Sequence, residues 1–377
     1  MCPAKVPPLP ILSEIEKKQA IALIQAGKPL PLSLLEKMAT LPEAGLFLWQ
    51  GKYTAPPLHV TGSLEQALAS AQRPFGGLLF SGDNLPLLSL LYAVKEEAGT
   101  GAKALFGPGG GFTLLYADPP FATGSVFTVP QGQAGDQSIP AFSDSWEGGM
   151  TGYYAMLWPR IQRMRALLAE DGVLCIHCDW RSAPAIRCML DECFGPGRFV
   201  NEVVWHYTGG GRSKRYFSRK HDLLLLYSLT NRWKFNLDAV RVPYLPTSGY
   251  ARSGITSKAG KQYLPNPKGT PRDDVFSIPM LNPMAKERVA YATQKPLALL
   301  EPILEAFTAP GDLVGDFFCG SGTTLEAAAR LGRRFVGCDM GEQAIRTCRQ
   351  RLEGFLQPKP LDVDAPDLTA TAYYTSE

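Results

Sequence analysis

The segment Asp118-Pro119-Pro120-Phe121 follows the apolar run FTLLYA. Two consecutive prolines cannot continue a strand ladder, and they hold the backbone in an extended, rigid path. The Asp118 carboxylate and the Pro119 carbonyl then present two hydrogen-bond acceptors on a fixed frame. An exocyclic amine of a nucleobase is a poor nucleophile because its lone pair is delocalised into the ring. Accepting hydrogen bonds from both of its N–H groups draws the nitrogen toward tetrahedral geometry and frees the lone pair to attack. Phe121 adds a flat face on which a base taken out of its stack can rest. Alone, four such residues also suit an ordinary strand-ending turn.

A second group lies in Asp316-Phe-Phe-Cys-Gly320-Ser-Gly322-Thr323-Thr324, directly after the run LVGD. A Gly-x-Gly turn between strand and helix lets the backbone approach a nucleotide-like ligand closely. Thr323 with Glu326 reads as a capping box, so a helix is expected to start at the turn. A further strand over 333–338 ends at Asp339, where a carboxylate can accept hydrogen bonds from ribose hydroxyls. The three-glycine dinucleotide fingerprint is absent, which counts against a nicotinamide cofactor.

These residues need elements to carry them. From Leu78 short apolar runs alternate with helical patterns: LLF, a helix over 85–97, FTLLYA, a helix over 152–168, VLCIHCD, a helix over 183–194, then VNEVVWHY. Such alternation predicts an α/β fold with a mostly parallel sheet and crossover helices. The rhythm breaks between about 206 and 290, a basic stretch rich in Pro and Gly with one strand expected at 222–227. It resumes with a helix over 296–307, a strand over 313–316, a helix over 323–330, a strand over 335–338 and a helix over 342–352. The chain therefore divides into a helical lead-in (1–60), a first half of the main domain (61–205), an insertion (206–290), a second half (291–356) and a loose tail (357–377). In the lead-in, Ser13 with Glu16 and Ser33 with Glu36 read as capping boxes, and Gly27 stands where the first helix would end.

At 377 residues, 45% hydrophobic and 19% charged, the chain can bury a sizeable core and leaves little room for extended disorder. The apolar runs at 112–117 and 223–227 fall far short of the roughly 20 residues of a membrane helix. The opening MCPAKVPPLP has no apolar core preceded by basic residues, so a cytoplasmic location is expected and no membrane partner. Cys175, Cys178, Cys188 and Cys193 have spacings that invite a zinc reading, yet they fall in an apolar strand and the helix after it, where free Cys behaves as a small apolar residue. No metal is expected, and His177 in the same strand reads as a packed or edge side chain. Net charge is +3 overall. Residues 206–292 hold 15 Lys and Arg against 5 Asp and Glu, so the rest of the chain is net acidic. Within them Arg212, Lys214, Arg215, Arg219 and Lys220 are interleaved with Tyr216 and Phe217, a cluster suited to a polyanion such as a phosphate backbone. A solvated loop is the plainer alternative.

Taken in order, these stretches resemble the β class of amino DNA methyltransferases, and are particularly similar to the methyltransferase subunits of type III restriction-modification systems. The matching segments are LFLWQGKY (46–53), SGDN (81–84), YADPPF (116–121), EDGVLCIHCD through DECFGPGRFVNEVVWHY, SRKHDLLLLYS (218–228), TQKP (293–296) and APGDLVGDFFCGSGTTLEAAARLGRRFVGCD (309–339). The resemblance implies a doubly wound, Rossmann-like S-adenosylmethionine-dependent methyltransferase fold. Its motif order is circularly permuted, a small recognition lobe is inserted, and the catalytic and glycine-motif strands lie side by side. It implies S-adenosylmethionine as cofactor, with Asp316, Phe318, Gly320, Gly322, Thr323 and Asp339 lining its site, Lys295 near the methionine moiety and Asp83 approaching the adenine. Asp83 serves equally well as a plain helix cap, and Lys295 as a helix-start lysine.

In that family a leading Asp or Asn accompanies adenine N6 as target and a leading Ser cytosine N4. Asp118 therefore points to adenine, with cytosine N4, an RNA amine or a non-catalytic DNA-binding relative as alternatives. Cytosine-C5 chemistry needs a nucleophilic thiol, typically in a Pro-Cys dipeptide, and no such dipeptide occurs. The partners implied are double-stranded DNA, a restriction subunit and a second copy of the chain. Two departures stand out: the usual Tyr of the catalytic motif is Phe121, and the chain is well short of a full type III modification subunit.

Overall fold

The apolar runs become strands buried on both faces, because helices cover both sides of the sheet they form. In a computed structural model, the described residues are 64–69, 76–124, 126–131, 137–209, 212–289, 291–361 and 368–375, together with 18, 19, 22 and 23. The capping pairs Ser13/Glu16 and Ser33/Glu36 and the glycine at 27 lie outside them.

In chain order the elements are α1 (Leu64–Ala69), β1 (Gly77–Ser81), α2 (Asn84–Glu97), α3 (Thr100–Phe106), β2 (Phe112–Ala117), β3 (Val126–Gln131), β4 (Gln137–Ser143), α4 (Met150–Leu167), β5 (Leu168–Cys178) and α5 (Ala183–Phe194). They continue with β6 (Phe199–His206), β7 (His221–Ser228), α6 (Gly249–Ser253), β8 (Ile255–Thr256), β9 (Gln262–Tyr263), β10 (Val275–Ser277) and α7 (Leu297–Phe307). The last are β11 (Leu313–Asp316), α8 (Thr323–Arg330), β12 (Arg334–Asp339), α9 (Glu342–Glu353), β13 (Leu356–Leu361) and β14 (Thr369–Thr375).

Ten strands form one sheet in the order β10-β6-β7-β5-β2-β11-β12-β1-β14-β13. The middle five, β5-β2-β11-β12-β1, are parallel to one another. Side chains along them alternate between two apolar clusters. Leu115, Ala117, Leu174 and Ile176 join the cluster built with α2, α4 and α5, whereas Leu114, Tyr116, Val173 and Cys175 join the one built with α7, α8 and α9. The sheet is thus doubly wound, as the resemblance implied, and its middle is parallel, as the alternation of runs predicted.

Register decides what meets at the carboxyl edge. Tyr116 of β2 is level with Asp316 of β11, Asp316 with Gly337 of β12, and Ser81 of β1 with Asp339. The two motif strands are therefore neighbours, and both motifs leave the sheet at the same edge, where ligands of open α/β sheets bind.

Two expectations need correction. The tail is not loose over its described part: β14 pairs antiparallel with β1 and β13 with β14, closing one side of the sheet. The insertion is not one separate piece either. Its strand β7 pairs with β5 and β6 inside the main sheet, and β10 adds to β6 at the other edge. In both cases an open sheet edge supplied backbone partners that a local reading of sequence cannot see. Among the described residues no helix is long and apolar enough to cross a membrane.

Candidate active site

Beyond β2 the two prolines carry the chain to Phe121, and the next residue, Ala122, adopts φ 56°, a left-handed conformation uncommon outside glycine. Buried Asp144 holds it there: its carboxylate accepts from the Ala122 and Thr123 N–H groups, both at 2.8 Å, and from the Thr123 hydroxyl at 2.7 Å. Asp118 at the head of this loop has two unlike oxygens. Oδ2 accepts from the Lys295 ammonium at 2.5 Å, while Oδ1 is buried without a hydrogen-bond partner. The Phe121 ring lies under the same ammonium, 5.2 Å from its centroid, and tilts against the His177 ring at 5.7 Å.

His177 is fully buried and the centre of a polar chain that sequence reasoning missed. Its Nδ1 lies 2.8 Å from the Tyr116 hydroxyl and 3.8 Å from Asp118 Oδ1, and its Nε2 lies 3.3 Å from Asp222 Oδ2. Tyr207 donates to the other Asp222 oxygen at 3.2 Å. Burial works to raise the Asp222 carboxyl, but its interaction with His177, helped by the Lys295 ammonium and the Tyr207 hydroxyl, more than offsets this, so the group sits below its ordinary value. The available signal was a lone polar residue inside each buried run, His177 in VLCIHCD and Asp222 in HDLLLLY. Cys175 and Cys178 are buried thiols of β5 that burial pushes up, and Cys188 is exposed on α5.

At the second motif, Gly320 and Gly322 take φ values of 50° and 78°, and a Cβ on Gly322 would meet Cys348 Sγ at 2.8 Å. Glycine is required at both by conformation, and at the second also by space. Asp339 secures the turn: Oδ2 accepts from Gly320 N–H at 2.9 Å and Oδ1 from Gly341 N–H at 2.8 Å. Asp316 accepts from Phe318 N–H at 3.1 Å. Burial pushes its carboxyl up to about 7 against bonds from Thr324 and Phe318, and the charges of Asp118 and Asp339 add to the rise. Burial raises Asp339 as well. Three carboxylates against the Lys295 ammonium make an edge suited to a cationic ligand that also carries hydroxyl donors.

The expected capping box does not form. Gly322 is the N-cap of α8, and Thr323 is its first residue, donating to the Lys295 carbonyl at 3.1 Å. Glu326 instead pairs with Arg330 and with buried Arg351, where a charge-assisted bond out of water outweighs a cap. Lys295 therefore joins the two motifs, its side chain on Asp118 and its carbonyl on Thr323. Asp83 caps α2 by accepting from Leu85 N–H at 2.9 Å and pairs with Arg160 at 2.7 Å. It stands two residues past Ser81, the position level with Asp339.

The basic cluster lies in the loop from β6 to β7, whose last residue, Lys220, is two positions before Asp222. Arg212, Lys214, Arg215 and Arg219 are exposed, and Lys220 is half-buried and donates to the Gly209 carbonyl. None of the five pairs with a carboxylate among the described residues. Arg219 is stacked between the rings of Trp180 at 3.7 Å and Tyr216 at 4.6 Å, and Phe217 is 99% exposed. Residues 206–209, 212, 218 and 220 line a cavity of about 340 Å³ at the base of the loop.

Comparison with known proteins adds to this geometry. The DNA methylase family of the N6/N4 type matches residues 112–350. The chain is 37% identical over 156 residues to the type II methyltransferase M1.MboII of Moraxella bovis, covering 39% of this chain and 60% of that one. It is 26% identical over 242 residues to the DNA adenine methyltransferase YhdJ of Escherichia coli (strain K12), covering 64% and 76%. The solved PvuII DNA methyltransferase (cytosine-N4-specific) superposes with a TM-score of 0.48 at 17% identity, over 73% of this chain and 86% of that one. The chain thus spans about three fifths of the length of M1.MboII.

Proposed function

The chain belongs to the N6/N4 DNA methylase family, and on that premise we propose that it transfers a methyl group from S-adenosylmethionine to N6 of adenine in duplex DNA. The observation that carries the reading is the buried, partnerless Oδ1 of Asp118. A buried acceptor without a donor costs on the order of 1–3 kcal/mol, and a substrate N–H group at this position removes that cost. The Pro119 carbonyl is the second acceptor, and the Phe121 ring is the stacking face for the flipped base. Lys295 holds Oδ2 and so fixes the direction of Oδ1.

The cofactor suits the residues present. A sulfonium cation offsets the carboxylates of Asp316 and Asp339, ribose hydroxyls can donate to the free lone pairs of Asp339, and the left-handed turn at Gly320 and Gly322 admits close backbone approach. Asp83, Phe318 and Thr323 complete the proposed lining. When bound, S-adenosylmethionine supplies a methyl carbon open to direct attack, so no covalent enzyme intermediate is needed. Asp118 orients the amine and takes the proton it releases. Adenine is favoured by Asp118 at the head of the motif and by the relative named as an adenine methyltransferase. Duplex DNA is favoured by the cations of Arg212, Lys214, Arg215 and Arg219 beside the same sheet edge, which no carboxylate neutralises among the described residues.

Two variants test the assignment. Asp339→Ala removes acceptors for ribose hydroxyls, at on the order of 1.5–3 kcal/mol each, so calorimetry should show weakened S-adenosylmethionine binding. Asp118→Ala should bind it nearly normally and transfer no labelled methyl to duplex DNA. Labelling of tRNA in preference to duplex DNA would overturn the choice of substrate.

A further inference from the structure

Asp118 Oδ1 is buried beside an imidazole that does not bond to it, and the reason lies in the other side of that imidazole. A neutral histidine ring has one N–H donor and one acceptor nitrogen. The ionised Asp222 carboxylate can only accept, so it draws the ring proton to Nε2, 3.3 Å away. Nδ1 is then an acceptor, and the Tyr116 hydroxyl at 2.8 Å donates to it. That leaves Nδ1 with no proton for Asp118 Oδ1, which stands 3.8 Å off, beyond hydrogen-bond range.

We infer that Asp222, His177 and Tyr116 are positioning residues that fix the Nε2–H tautomer and thereby keep Asp118 Oδ1 free of donors for the incoming amine, an inference that rests on the proposed methyl transfer. The surroundings hold the ring still. Trp205 meets it edge-on at 5.7 Å, Phe121 tilts against it at 5.7 Å, and Tyr207 fixes the second oxygen of Asp222. Strand register supplies the rest: Ala117 is level with Ile176, which sets His177 beside Asp118, and His177 is level with Leu224, which sets Asp222 just beyond.

The tautomer is a spectroscopic quantity that needs no DNA. In protein labelled with nitrogen-15 at its 4 histidines, proton–nitrogen correlation spectra distinguish the protonated from the unprotonated ring nitrogen, and the signal missing from His177→Gln assigns the residue. The wild type should show Nε2 protonated and Nδ1 unprotonated. Asp222→Asn keeps the shape but can donate to Nε2, so it should turn the ring to the Nδ1–H form, whose proton can draw Asp118 Oδ1 in across the 3.8 Å gap. With plasmid DNA as substrate, kcat should then fall on the order of 100-fold, with KM for S-adenosylmethionine unchanged. A wild-type ring protonated at Nδ1 or at both nitrogens overturns the inference, whether or not the variant folds. So does a variant in which kcat and the tautomer do not change together. If the wild type methylates no DNA, the proposed function fails, while the tautomer is still read directly.

Discussion

Asp316 is a carboxyl group whose burial alters the stability of the whole protein. An aspartate in an unfolded chain titrates near 3.9, whereas burial holds this one at about 7. Between those values the folded state keeps a proton that the unfolded state has released, so stability falls as pH rises. The contribution is fully present below about 4 and is lost as pH climbs through about 7. Asp316→Asn keeps an acceptor for the Phe318 N–H and does not titrate. Urea unfolding of the ligand-free protein should therefore show the wild type losing stability relative to this variant between pH 5 and pH 8, and a difference that stays constant would contradict the account. Residues of this kind were legible in the sequence when their partners are local. Asp118, Phe121, Gly320 and Gly322 were found because strand, turn and helix follow one another along a few residues. Asp144, His177 and Asp222 were not, because only strand pairing, of the β3–β4 hairpin for Asp144 and of the main sheet for the other two, brings each to the loop or side chain it acts on.

At the scale of elements, the parallel strands and their helices were legible because apolar runs and helical periodicity are local properties. The tail was not. β13 reads LQPKPL, with two prolines and mostly exposed side chains, and only an edge strand tolerates it. What makes β14 a strand is the free edge of β1, and its anchor is Tyr373, fully buried with its ring 6.0 Å from that of Phe335. Tyr373→Ala should cost about 3 kcal/mol in denaturant unfolding, in the range of large aromatic deletions. The Tyr373 hydroxyl, however, has no hydrogen-bond partner, so Tyr373→Phe should be neutral or stabilising by up to about 1 kcal/mol. Equal loss in both variants would mean that the hydroxyl, and not the ring, holds the strand.

For the molecule as a whole, charge is the organising quantity: a chain of net charge +3 concentrates its cations in and around the loop that leaves the sheet beside Asp222. Neutralising Arg212, Lys214 and Arg215 together should reduce the salt slope of DNA binding by about 0.9 unit for each phosphate that the loop no longer neutralises, on specific and non-specific DNA alike. An unchanged slope would leave the loop a solvated surface. The central claim is that Asp118 presents an acceptor to the amino group of adenine. It is tested most directly by incubating plasmid DNA with the protein and S-adenosylmethionine, digesting the DNA to nucleosides and identifying the methylated one by mass spectrometry. The account predicts N6-methyladenine from the wild type and no methylated nucleoside from Asp118→Ala. N4-methylcytosine without N6-methyladenine would contradict the choice of base, and methylation by Asp118→Ala at a comparable rate would contradict the mechanism.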